Sequence, residues 1–168
     1  VRLFLLLLPL LFSFPAHAET GPLFDEKGLP LDYVTAYVVE SAPNKNYEFL
    51  RKKAEDVVAK TGMKFETLDR IYDPEKGMMY PKDYEHDEAY AGAYLPRRDI
   101  DNTPSRISIE MRQFYHGDKK EKDPLNMMLV FGIFSSKKEA VELASTLEPH
   151  VATVHVHKVD QFYMGCMH

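Results

Sequence analysis

The chain is predicted to be an α+β protein, a mainly antiparallel sheet with two helices on one face plus a long insertion. Three observations predict it. Stretches with a two-residue apolar period alternate with stretches of helical period, the marks of strands and helices. A strand–helix–strand pattern occurs twice, over 32–72 and again over 127–159. Between these units lies a segment rich in proline and tyrosine that holds neither period.

Each element follows from local chemistry. Asp32–Glu40 (DYVTAYVVE) is rich in Tyr, Val and Thr and reads as a strand, with Val34, Ala36 and Val38 on one face and Tyr33, Thr35 and Tyr37 on the other. Ser41-Ala42-Pro43-Asn44 breaks it and supplies caps. Asn46–Lys60 reads as a helix, because Tyr47, Leu50, Ala54, Val57 and Val58 follow helical spacing. Thr61-Gly62 ends it, and Met63–Tyr72 is read as a second strand. Asp73–Ser105 carries Pro74, Pro81, Pro96 and Pro104 and reads as an insertion with one short strand at Ala89–Leu95. Arg106–Tyr115 alternates, with Ile107, Ile109 and Met111 facing one way and Ser108, Glu110 and Arg112 the other. Met127–Phe134 is apolar throughout and suits a central strand. Ser136 and Glu139 have capping-box spacing before a helix over Lys137–Leu147, which Pro149 stops. Val151–Val159 is the last strand, with Val154 and Val156 inward and His155 and His157 outward. The order suits a ferredoxin-like βαββαβ sheet, both helices covering one face and the other open to solvent.

The N-terminus carries an address. Arg2 precedes an apolar run from Leu3 to Phe14, and Pro15-Ala16-His17-Ala18 closes it. This predicts a secretory signal peptide over 1–18, too short an apolar run for a membrane span. Residues 19–31 read as a flexible lead-in and 32–168 as one domain with its insertion at 73–105. The expected location is periplasmic or secreted, with no stable membrane insertion once the signal is removed. Cys166 is the one cysteine, so no internal disulfide framework is expected. It reads as a tail residue, or else as an intermolecular thiol or a metal ligand beside His168.

Acidic residues outnumber basic ones, 26 to 21, which argues against a nucleic-acid partner. Loss of the signal removes only Arg2 from the basic set. There is no Gly-x-Ser-x-Gly, no His-Glu-x-x-His and no phosphate loop. The acids Asp83, Glu85, Asp87 and Glu88 cluster in sequence, but glycoside hydrolysis needs two opposed carboxylates at a set separation. The cluster reads as a solvated loop. The expectation is a non-catalytic protein without a cofactor.

At Met127–Leu147 a hydrophobic strand runs into Gly132-x-Phe134-Ser135-Ser136, then Glu139-Ala140 and an amphipathic helix. This resembles the second half of a SPOR (sporulation-related repeat) domain. Tyr33–Tyr72 is similar to the first half: Tyr37-Val38-Val39, a polar turn, then a helix containing Lys53-Ala54. The resemblance covers about half of the chain beyond the signal. It departs from the family in the insertion and in Glu40-Ser41, which stands where a Gly-x-Phe would. It implies an exported module that binds peptidoglycan, typically glycan strands stripped of peptide stems, through its open sheet face.

Three groups of residues are candidates for binding. Tyr33, Tyr37, Glu110, Arg112, His155 and His157 are expected on the open sheet face, where rings stack on sugars and polar groups fix hydroxyls. They also fit an ordinary solvated face. Tyr90, Tyr94, Arg97 and Arg98 lie in the insertion, and paired arginines can clamp a carboxylate. Alternatively the tyrosines plug the insertion onto the sheet and the arginines pair with Asp99 or Asp101. His155 and His157 share a strand face at a spacing that can hold a transition metal, given a third ligand. The leading expectation is glycan recognition. An envelope protein bound through the Tyr/Arg insertion, as interaction or inhibitor module, and periplasmic metal handling are the alternatives.

Overall fold

The computed structural model describes residues 33–85, 88, 90–92, 98–101, 106–116 and 123–163. The expected signal peptide, the lead-in, Cys166 and His168 lie outside the described residues.

Strand β1 (Tyr33–Ser41) forms where β-branched and aromatic residues cluster. Asn46 caps helix α1 (Tyr47–Thr61) by accepting a hydrogen bond from the Phe49 amide at 3.0 Å. Gly62, at φ +74°, ends the helix and donates its amide to the Val58 carbonyl. Then come β2 (Lys64–Phe65), β3 (Ile71–Asp73), β4 (Gly77–Met79), β5 (Arg106–Met111), a 3-10 turn (Arg112–Phe114), β6 (Met127–Phe134), α2 (Lys137–Leu147) and β7 (Val154–Tyr163).

The main sheet has the order β2-β5-β6-β1-β7, and β3 and β4 form a separate hairpin. β5–β6, β6–β1 and β1–β7 are antiparallel, and β2 lies parallel to β5. Without β2, the order β5-β6-β1-β7 with its two crossover helices is a ferredoxin-like βαββαβ layout. The α+β class is as predicted. Among the described residues no helix is long and apolar enough to cross a membrane.

Two apolar layers flank the sheet. The helix-side layer joins Leu50, Ala54 and Val57 of α1 and Ala140, Ala144 and Leu147 of α2 to Val39, Ile107, Ile109, Leu129 and Phe131 of the strands. The second layer lies on the far side and contains Val34, Ala36, Val38, Met128, Val130 and Ile133 under Tyr115 and Phe162. The expectation of a sheet face open to solvent is therefore corrected. Successive side chains of any strand point to opposite faces, so the period shows which residues share a face but not which face meets the helices. Val34, Ala36 and Val38 do share a face, but it is the far one, and Tyr37 packs on the helix side.

Other boundaries also move. The strand expected over Met63–Tyr72 is split into β2 and β3, because the Leu68–Asp69 turn, with φ values of +56° and +57°, interrupts it. Arg106–Tyr115 leaves the strand after Met111 and enters the 3-10 turn, so Arg112 has no place on a strand face. The last strand starts at Val154 and extends to Tyr163. Ser136 is the N-cap of α2 but makes no side-chain capping bond. The start of the insertion closes the β3–β4 hairpin: Asp73 Oδ1 accepts from the amides of Glu75 and Lys76, both at 2.8 Å, and Gly77 takes φ +83°. Tyr90, Ala91 and Gly92 form a turn where a strand over Ala89–Leu95 was expected, and the rest of that stretch lies outside the described residues.

Candidate functional site

The far side of the sheet carries two buried ion pairs and a carboxylate–imidazole cluster, and an aromatic rim lies at the edge. Arg70 comes from the loop before β3. It donates to both carboxylate oxygens of Glu110 on β5, at 2.9 and 2.5 Å, and its Nε donates to the Thr67 carbonyl at 3.1 Å. Both side chains are buried. Burial raises the Glu110 pKa, but the Arg70 guanidinium and its forked hydrogen bonds outweigh this and hold it below the ordinary value of 4.5.

Arg98 of the insertion forks onto Asp101 at 2.9 and 2.7 Å and also donates to Ser108 Oγ and to the carbonyls of Arg106 and Val130. Asp101 accepts from the Ile133 amide at 2.9 Å, and its own amide donates to the Ile133 carbonyl. The insertion thus extends the hydrogen bonding of β6 beyond the start of β5. Burial nevertheless raises the Asp101 pKa, against the pull of Arg98. The Tyr115 hydroxyl accepts from the Arg98 amide at 3.0 Å and closes this layer.

The cluster lies at the corner formed by β1, β7 and the 3-10 turn. His116 Nε2 is 2.8 Å from Glu40 Oε1, and Arg112 Nη2 is 3.1 Å from His116 Nδ1. A guanidinium can only donate, so Nδ1 must accept and Nε2 must carry the proton. Both ring nitrogens of His116 are thereby occupied. His157 stacks on His116 with ring centroids 3.9 Å apart. Burial, and then the proximity of His116, hold the His157 pKa below its ordinary 6.5, against the pull of Glu40 and of its hydrogen bond with the Tyr115 main chain. Glu40 is buried, and among the described residues its Oε2 has no hydrogen-bond partner.

The aromatic rim is more accessible. Tyr33 and Tyr163 pair across β1 and β7 with ring centroids 5.1 Å apart, and they are 58% and 47% exposed. In the insertion Tyr80 stacks on Tyr84 at 3.8 Å and meets Tyr90 at 6.2 Å. Burial and a hydrogen bond with Tyr84 push the Tyr80 hydroxyl pKa up. These tyrosines pack on one another and are half-buried.

The structure disperses the residues expected to share one site. Glu110 is on the expected face but is consumed by Arg70. Arg98 is consumed by Asp101. Tyr37 is on the helix side, and Arg112 serves His116. His155 is exposed opposite Glu40, and His157 is half-buried opposite Val38. Tyr94 and Arg97 lie outside the described residues. No group of three His, Cys, Asp or Glu side chains suited to a metal ion occurs among the described residues.

Sequence reasoning missed His116, Glu40, Arg70 and Tyr115. Glu40 did have a signal, a carboxylate in register with Val34, Ala36 and Val38. Arg70 had none, since its partner lies forty positions away. The chain matches no protein-family model, no curated protein and no solved structure.

Proposed function

We propose that this chain is an exported, non-catalytic binding module of SPOR-like type that recognises peptidoglycan glycan strands. The single observation that carries the reading is the exposed ring pair Tyr33–Tyr163 at the edge of a ferredoxin-like sheet. Two exposed aromatic faces suit the apolar faces of sugar rings, and their hydroxyls suit the polar edges. With the far face covered by Tyr115, Phe162 and part of the insertion, this rim is the surface we propose for the ligand. The signal-like N-terminus supports a cell-envelope ligand.

Co-sedimentation with purified peptidoglycan sacculi tests the reading. The full chain is expected to pellet with sacculi, and to do so more strongly after peptide stems are removed. Tyr33→Ala with Tyr163→Ala is expected to abolish pelleting while leaving the far-ultraviolet circular dichroism unchanged. Failure to pellet at any salt concentration overturns glycan binding; pelleting by the double variant overturns the rim as its surface.

A further inference from the structure

We propose that the Arg112–His116 turn is a proton-operated latch, closed over the β1–β7 corner at neutral pH and released by mild acid. The turn carries Tyr115, buried with its ring 6.5 Å from that of Phe162, onto the far-side layer over Val34 and Val38. Side-chain attachment to that corner runs through two imidazoles. His116 bonds Glu40 of β1, and His157 of β7 stacks on His116 and bonds the Tyr115 main chain. On the other side the Arg112 amide donates to the Asn126 carbonyl at 2.9 Å, a bond without a titratable group.

The corner already holds several charges around the two stacked rings. The groups facing them are Arg112 and His116 from the turn, Glu40 from β1, His155 and His157 from β7, and, behind Tyr115, the Arg70–Glu110 pair. Arg70 balances Glu110, and Glu40 and Arg112 lie on opposite nitrogens of the His116 ring. A proton on His157 adds a cation to a half-buried corner that already holds Arg112. It places that cation against the neighbouring ring at 3.9 Å.

The depressed His157 pKa agrees in sign. A histidine whose pKa is lowered in the closed state binds its proton more tightly in the open one. Opening is then favoured as pH falls below the ordinary 6.5, by up to about tenfold per pH unit for each proton taken up. This inference does not depend on the glycan reading.

Hydrogen exchange of the full chain between pH 7.5 and 5, corrected for intrinsic rates, tests it. Protection of the Tyr115 and His116 amides, both bonded to the Arg112 carbonyl, is expected to fall progressively below pH 6.5 while the β6 amides stay protected. His157→Gln keeps an uncharged donor and is expected to flatten that dependence; His116→Gln is a second route to the same result. Constant protection of the wild-type turn down to pH 5 overturns the latch, whether or not either variant folds. So does a wild-type slope in both folded variants.

Discussion

Replacing Arg70 by methionine should expose how the insertion is anchored. Arg70 and Glu110 are 4% and 0% exposed, and the two-pronged bond between them holds the loop before β3 on the far side of β5. Methionine fills much of the arginine stem's volume but leaves the Glu110 carboxylate without its counter-charge. Removing one partner of a buried pair costs about 3–5 kcal/mol, of which the stranded charge is the larger part. Against a total stability of about 5–15 kcal/mol, that is a large share and shifts the thermal midpoint by roughly 10 °C.

Urea unfolding followed by circular dichroism measures the cost. The double variant Arg70→Met with Glu110→Met should recover most of it, because an apolar pair leaves no buried charge. A pH series adds an independent sign. With Arg70 gone, burial, the largest influence on Glu110, meets only the smaller pulls of Ser108 and Arg98 and raises its pKa above the unfolded value. The folded variant then binds the extra proton, so its stability should rise as pH falls from 7 towards the carboxylate range, where the wild type gains nothing from this group. A cost under about 1 kcal/mol, as for an exposed pair, would refute the reasoning. So would a double variant whose cost equals the sum of the two single ones.

Two further outcomes are expected. In the wild type Glu110 has a pKa held below 4.5, so its contribution is fully present above that value and is lost as pH falls below it. The urea midpoint should therefore drop on acidification below pH 4.5, and Glu110→Gln, already less stable, should lose less over the same range. Gly77→Ala would place a Cβ 2.6 Å from the Pro124 carbonyl oxygen at a residue with φ +83°, and is expected to cost about 2–4 kcal/mol from strain and overpacking together. An unchanged urea midpoint would show that the β3–β4 turn does not pack against Pro124 in solution.

The local elements were legible where a single physical cause dominated. Helix α1 is delimited by Asn46 and Gly62, whose capping chemistry acts within a few residues. The run Met127–Phe134 is apolar at nearly every position and is the central strand β6. The Gly77 hairpin was legible in principle, since Asp73-Pro74-Glu75-Lys76-Gly77 has turn chemistry at each end, but the prolines around it masked the signal. Glu110 shows the opposite case. Its alternation with Ile109 and Met111 assigned its face correctly, yet alternation holds no information about what lies above that face.

The sequence by itself determined the α+β class, the repeated strand–helix–strand units, the caps of α1 and which residues of β1 share a face. These depend on backbone preference and on spacing between near neighbours. Only the tertiary structure decided that the far face is filled, that Arg70 meets Glu110, and that Glu40, His116 and His157 converge at one corner. Those pairings join residues 40 to 76 positions apart, and a charge placed in a low-dielectric layer selects whichever partner the fold brings within reach.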